Sequence, residues 1–83
     1  MFEELKELII VGDEDKAKTL TQKFLSMGKN ADEIMKGGLV VGMDVVGQRF
    51  KEYEMYLPEV KMSATAMKAS KEKISGVKVM VGG

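Results

Sequence analysis

Three glutamates gather around the single proline of the chain and are the first candidates for chemistry. They are Glu52, Glu54 and Glu59. Paired carboxylates can act as general acid and base, or they can bind a divalent cation. The chain has no histidine and no cysteine, which removes the commonest general base, thiolate nucleophiles and most metal-ligand sets. Because Lys51 and Lys61 lie alongside, solvated loop charges explain these carboxylates better, and we predict no catalytic residue and no metal site.

The charge balance argues against two classes of partner. Thirteen basic residues balance thirteen acidic ones, so the net charge is zero and no basic field attracts nucleic acid or anionic lipid. No apolar run is long enough to span a membrane, and the N-terminal residues are acidic, unlike those of a signal peptide. We therefore expect a cytoplasmic protein with neither a nucleic acid nor a membrane as partner.

Bulky apolar residues are unusually dense between two predicted helices. They are Phe50, Tyr53, Met55, Tyr56 and Leu57. Loops normally face water and are polar, so this density indicates either a docking surface or a loop that folds back and closes the end of a bundle. The eight methionines leave a similar choice between adaptable core filling and a soft surface for a large, flat ligand.

The elements that position these residues are predicted from helical periodicity and punctuation. Apolar residues recur at steps of three and four from the N-terminus, and Gly12, Gly28 and Gly76 are expected to end the first, second and fourth helices. Asp13 and Asn30 are expected to cap the N-termini of the second and third helices.

The third helical region contains several glycines, so we expect a short helix to about Lys36, a break at the Gly37-Gly38 pair and a longer helix to about Lys51. Close packing against a neighbouring helix is the expected reason for Gly42 and Gly47. A loop over 51–56 follows, and Pro58 suits the first turn of the fourth helix.

Together these elements predict an all-α protein, an antiparallel four-helix bundle with short connections. The tail alternates β-branched residues and predicts a short C-terminal strand, Val77–Val81. A single strand cannot form a sheet within one chain, which indicates that the chain is a piece of something larger.

Several motifs of the second half are similar to those of a known family. They are GLVVGMDVVGQRF from Gly38 to Phe50, YLPEV from Tyr56 to Val60, and the MSA and AMK triplets that follow. This pattern resembles the helical cap module of cobalamin-dependent methyltransferases, shared by methionine synthase and small corrinoid methyl-carrier proteins. The resemblance covers essentially the whole chain in helix order.

The resemblance implies a four-helix cap that lies over the upper face of the corrin and shields the methyl–cobalt bond. It assigns cobalamin as the cofactor and Phe50, Tyr56, Leu57 and Val60 as the residues that face it, with Tyr56 where the family usually has Phe. The cobalt ligand belongs to a Rossmann-like domain with a DxHxxG motif, which these residues cannot contain because they include no histidine. The chain thus divides into a cap bundle, 1–76, and a strand-like tail, 77–83, as a remnant of that domain.

Two functions of different classes follow. The first is a non-catalytic cap module in methyl transfer, whose partners are the Rossmann-like cobalamin domain and methyltransferase enzymes. This chain alone is expected to bind cobalamin weakly or not at all, because nothing in it ligates cobalt or encloses the nucleotide tail. The alternative is a self-associating protein–protein interaction module without cofactor. In both cases an uncovered apolar surface favours a homodimer.

Overall fold

The chain folds into one bundle of helices. The computed structural model describes the backbone of residues 2–82 and the side chains of residues 2–75. The elements are α1 (Glu3–Val11), α2 (Glu14–Ser26), α3 (Ala31–Ile34), a π-helical segment (Met35–Val40), α4 (Val41–Lys51) and α5 (Leu57–Gly82). Because α3, the π-helical segment and α4 follow one another without a gap, the described part of the chain is the predicted four-helix bundle.

Local signals set the helix ends where the sequence predicts them. Gly12 and Gly28 adopt left-handed conformations with φ of 75° and 83°, which a residue without Cβ reaches at little cost. The side chain of Asp13 accepts a hydrogen bond of 3.0 Å from the backbone N–H three residues on. The side chain of Asn30 makes the equivalent bond at 3.1 Å. Both predicted N-caps are confirmed.

The expected break at the Gly37-Gly38 pair does not occur. The helix instead widens into the π-helical segment and then resumes as α4. A wider turn keeps the backbone groups hydrogen-bonded while it absorbs one extra residue, so the glycines change the helix without ending it. The predicted end near Lys51 is confirmed.

The predicted strand Val77–Val81 is wrong, as is the predicted stop at Gly76. α5 runs for 26 residues and continues to Gly82. A helix satisfies its backbone groups internally, whereas a lone strand would leave them without partners, and this outweighs the β-branched composition. The side chains of the tail lie outside the described residues. None of the described helices combines the length and apolar character needed to cross a membrane.

The main core lies between α1, α2, the π-helical segment and α5. α2 packs along α5 in the most extensive contact between elements. The rings of Phe2 and Phe24 meet edge to face with centroids 5.0 Å apart, which joins the start of α1 to α2. The cluster's fully buried residues are Leu5, Ile9, Ala17, Ile34, Leu39 and Ala66.

Two glycines let α1 closely approach the π-helical segment and α4. A Cβ built on Gly38 would lie 2.8 Å from Leu5 Cδ2, and one built on Gly42 would lie 2.8 Å from Ile9 Cβ and 3.1 Å from the Lys6 carbonyl oxygen. At Gly42 the close atoms are a Cβ and a backbone oxygen, so only glycine fits, whereas at Gly38 the end of the Leu5 side chain would have to move. The predicted close packing is confirmed for Gly42.

We predict that Gly42→Ala lowers the free energy of unfolding by about 1–3 kcal/mol, because the added methyl group forces α1 and α4 apart. Chemical denaturation followed by circular dichroism measures the change. Gly47→Ala is the matched control, because a Cβ there meets nothing within 4 Å and gains up to about 1 kcal/mol of helix propensity. Equal denaturation midpoints for the two variants would contradict this account of Gly42.

Candidate functional site

α4 ends in a tight reversal that places an aromatic residue in an unfavourable conformation. The Tyr53 N–H donates to the Phe50 carbonyl at 3.1 Å, and the Glu54 N–H donates to the Arg49 carbonyl at 2.7 Å. Tyr53 has a φ of 63°, which costs a residue with a Cβ about 1–2 kcal/mol. Its side chain is 87% exposed, so no packing within the described bundle offsets that cost.

One residue of the loop folds back into the protein. Met55 is buried against Ile10 of α1 and Val46 of α4, and the three form a second apolar cluster. Its neighbours Tyr53 and Tyr56 remain exposed. The sequence left open whether this loop closes the bundle or presents a surface, and the structure assigns closure to Met55 alone.

The start of α5 is held by its own capping contacts. The Tyr56 N–H donates to a Glu59 carboxylate oxygen at 2.8 Å. The Tyr56 carbonyl in turn accepts from the Val60 N–H at 3.1 Å. Pro58 lies in the first turn, where its missing N–H removes no helical hydrogen bond. These contacts fix the backbone on either side of Leu57 and so fix the direction of its side chain.

A buried hydrogen bond ties the first half of α5 to the end of α1. The Ser63 hydroxyl donates to the Ile10 carbonyl at 3.1 Å. This carbonyl lies in the last turn of α1, where carbonyls lack helical partners. Next to it, a Cβ on Gly12 would lie 2.8 Å from Met62 Cβ, so the two helices touch here. The bond therefore sets where α5 starts relative to α1.

The four residues that the resemblance assigns to the cofactor lie on either side of this loop, and we call them the loop-end residues. Phe50 is in the last turn of α4, Tyr56 precedes α5, and Leu57 and Val60 lie in its first turn. Phe50, Tyr56 and Leu57 are 45%, 71% and 53% exposed, respectively. Val60 is half-buried against the cluster that contains Met55. The structure thus brings all four to one end of the bundle, and their contact with a cofactor stays a prediction.

A shallow groove lies between α4 and α5. Met43, Ala64 and Met67 line a shallow cavity of about 320 Å³ between these helices. Met43 and Met67 also pack partly against the main core, as core-filling methionines do. The methionine composition is therefore explained in part by packing.

Two of the three clustered glutamates, Glu52 and Glu59, make local hydrogen bonds. The Gln48 side-chain amide donates to Glu52 at 2.8 Å, while Glu59 is occupied by the backbone N–H before α5. Across the residues that the structure describes, no three potential ligating side chains come together as a metal site. The arrangement offers an apolar contact surface rather than an acid–base pair.

Sequence reasoning missed one feature of this end of the bundle and gave the wrong reason for another. Tyr53 carries the unfavourable backbone conformation, and Gly47 lies in α4 without any neighbour that explains it. A tyrosine between two glutamates gives no sign of a left-handed turn. For Gly47 the signal was present, but packing against a neighbouring helix was the wrong reason.

Comparison with known proteins places this bundle in a family. The family described as "B12 binding domain" matches residues 1–72. A corrinoid protein of Desulfitobacterium hafniense is 47% identical over 68 residues, which are 82% of this chain and 32% of that protein. Monomethylamine corrinoid protein 2 of Methanosarcina barkeri is 35% identical over 72 residues, 87% of this chain and 33% of its own length.

A solved structure agrees with these sequence matches. The monomethylamine corrinoid protein of Methanosarcina barkeri superposes with a TM-score of 0.87 at 32% identity, over 90% of this chain and 35% of that one. The chain belongs to the B12 binding domain family, and its fold is that of the helical part of a corrinoid protein. It spans about a third of the length of the curated relatives it matches.

We predict that Phe50→Ala and Leu57→Ala destabilise the bundle far less than Leu39→Ala does. Leu39 is fully buried, so its truncation costs about 2–5 kcal/mol, whereas the two exposed residues should cost about 1 kcal/mol or less. Thermal denaturation of the three variants measures this. Losses of equal size would show that Phe50 and Leu57 belong to the core.

Proposed function

We propose that this chain is the cap module of a corrinoid methyl carrier, which shields the upper face of cobalamin during methyl transfer. The observation that carries the proposal is the exposure of Phe50 and Leu57 at the α4–α5 turn, where the backbone is otherwise tightly fixed. Membership of the B12 binding domain family supports it. The module itself is non-catalytic, and its location in the cytoplasm stays a prediction from the sequence.

The loop-end residues suit a large, flat and largely apolar partner. Aromatic and aliphatic side chains gain free energy when such a surface covers them, because water leaves both sides of the contact. Phe50, Leu57 and Val60 also offer no group that could ligate the metal and compete with the transferred group. When bound, cobalamin supplies the methyl-transfer chemistry, while these residues exclude water and limit access.

The proposal requires a second protein part that holds the cofactor from the other side. A Rossmann-like cobalamin domain would provide it. Methyltransferase enzymes are the proposed exchange partners, because relatives are named as monomethylamine and trimethylamine corrinoid proteins.

We predict that the 83-residue chain slows the light-driven loss of the methyl group from methylcobalamin held by a Rossmann-like domain. The domain would be that of the Methanosarcina barkeri protein without its own helical region. Light splits the methyl–cobalt bond. A lid over the methyl group would favour return of the methyl radical to cobalt over its escape. Absorbance during illumination, with and without the chain, measures the rate.

The matched controls compare two exposed apolar side chains. Leu57→Ala should abolish most of the slowing, whereas Met27→Ala, 58% exposed at the end of α2, should leave it unchanged. Free methylcobalamin should bind the chain weakly, because little of the cofactor's surface is enclosed. An equal rate with and without the chain, or sub-micromolar binding of free methylcobalamin, would contradict this account.

The second candidate is the self-associating interaction module, and the exposure of Phe50, Tyr56 and Leu57 favours it when no cofactor domain is present. An apolar surface left in water gains by pairing, and a two-fold arrangement covers both copies with the same residues. This would make the isolated chain a homodimer.

We predict that the mass from light scattering falls from dimer toward monomer on dilution. Leu57→Ala should shift the transition to higher concentration, because it removes part of the shared apolar surface, and Met27→Ala should not. A monomer mass throughout the dilution series would exclude self-association while leaving the cap function intact.

A further inference from the structure

Gly47 is the one glycine among those tested by an added Cβ for which the bundle itself gives no reason. Gly12 and Gly28 have positive φ, a Cβ on Gly38 or Gly42 would press into α1 at 2.8 Å, and one on Gly37 would meet the Phe2 ring at 3.0 Å. At Gly47 a Cβ meets nothing within 4 Å, and the residue is exposed in regular α-helix. Glycine there weakens α4 relative to alanine.

The position of Gly47 relates it to the loop-end residues. Met43, Gly47 and Phe50 follow one another at steps of four and three, so they share one face of α4. Met43 lies across the groove from Ala64. A short loop joins α4 to α5 and the two helices pack together, so the next turn of α4 toward that loop, which carries Gly47, lies nearer the start of α5 than Met43 does.

The face of α4 around Gly47 has no neighbour within 4 Å of an added Cβ, and it lies next to residues that we propose contact the cofactor. Phe50 lies about one turn from Gly47 toward the loop, and its carbonyl accepts a hydrogen bond of the reversal described above. Val60, on α5, packs against the Met55 cluster. A flat ligand that rests on Phe50 and extends along this face of α4 would pass over Gly47. A methyl group there would hold it off by about 1.5 Å, the length of one carbon–carbon bond.

We propose that Gly47 is a further cofactor-facing residue, and that its missing side chain lets the corrin ring approach the backbone of α4. This inference rests on the proposed cap function and adds to it a residue that acts by absence of bulk. It explains why a residue unfavourable for the helix lies where the fold does not need it.

The test compares stability and docking of the same variants. Gly47→Ala should raise the melting temperature of the 83-residue chain by about 4 °C or more, because the helix gains and nothing clashes. The same variant should weaken docking to the methylcobalamin-loaded Rossmann-like domain by about tenfold or more, measured by calorimetry. Thr19→Ala, an exposed helix-favouring change on α2, should stabilise the chain without weakening docking.

Each outcome separates the inference from the function on which it rests. Unchanged docking by Gly47→Ala, or a lowered melting temperature, overturns the role of Gly47. If Leu57→Ala weakens docking and Gly47→Ala does not, the cap function stands and only this inference fails. If the unmodified chain does not dock at all, the cap function fails first and the inference with it.

Discussion

The last turn of α1 supports the whole of the candidate site. Ile9 packs where Gly42 leaves room, which brings α1 and α4 into direct contact. Ile10, its neighbour, receives the Met55 side chain from the loop and accepts the Ser63 hydroxyl from α5 through its carbonyl. Three elements thus take their positions from two adjacent residues, and the α4–α5 turn cannot shift without breaking one of these contacts.

The same contacts explain why the apolar residues of the turn stay outside. Met55 packs against Ile10 and Val46 in the second apolar cluster, whereas Phe50 and Leu57 stay exposed. The left-handed conformation of Tyr53 and the hydrogen bond from the Tyr56 N–H to Glu59 fix the backbone on either side of Met55. Exposure at this end follows from a rigid scaffold rather than from a loose loop, which is the condition for a preformed contact surface.

The parts of the fold predicted from sequence are those decided by local chemistry. Left-handed glycines at 12 and 28 and the caps at Asp13 and Asn30 depend on one turn of chain each, and all four were correct. The fate of the Gly37-Gly38 pair depends instead on α1 packing against it. A strand was predicted for the tail from its β-branched residues. With no strand to pair with, the backbone continues as α5 instead.

The site was less accessible to physical reasoning alone. Apolar density between Phe50 and Leu57 marked the stretch that the structure largely exposes, but which residue turns inward depends on where Ile10 lies, and only the fold shows that. The individual loop-end residues came from motif resemblance. Gly47 carried a signal of its own, since glycine weakens a helix, but the bundle supplies no packing neighbour that explains it.

The most direct test of the account is to locate the corrin on this chain. In a complex with the methylcobalamin-loaded Rossmann-like domain, nuclear Overhauser effects can be measured between corrin methyl groups and the chain's side chains. The account predicts such effects to Phe50 and Leu57. Effects instead to Leu8 and Leu20, which line the groove between α1 and α2, would contradict it.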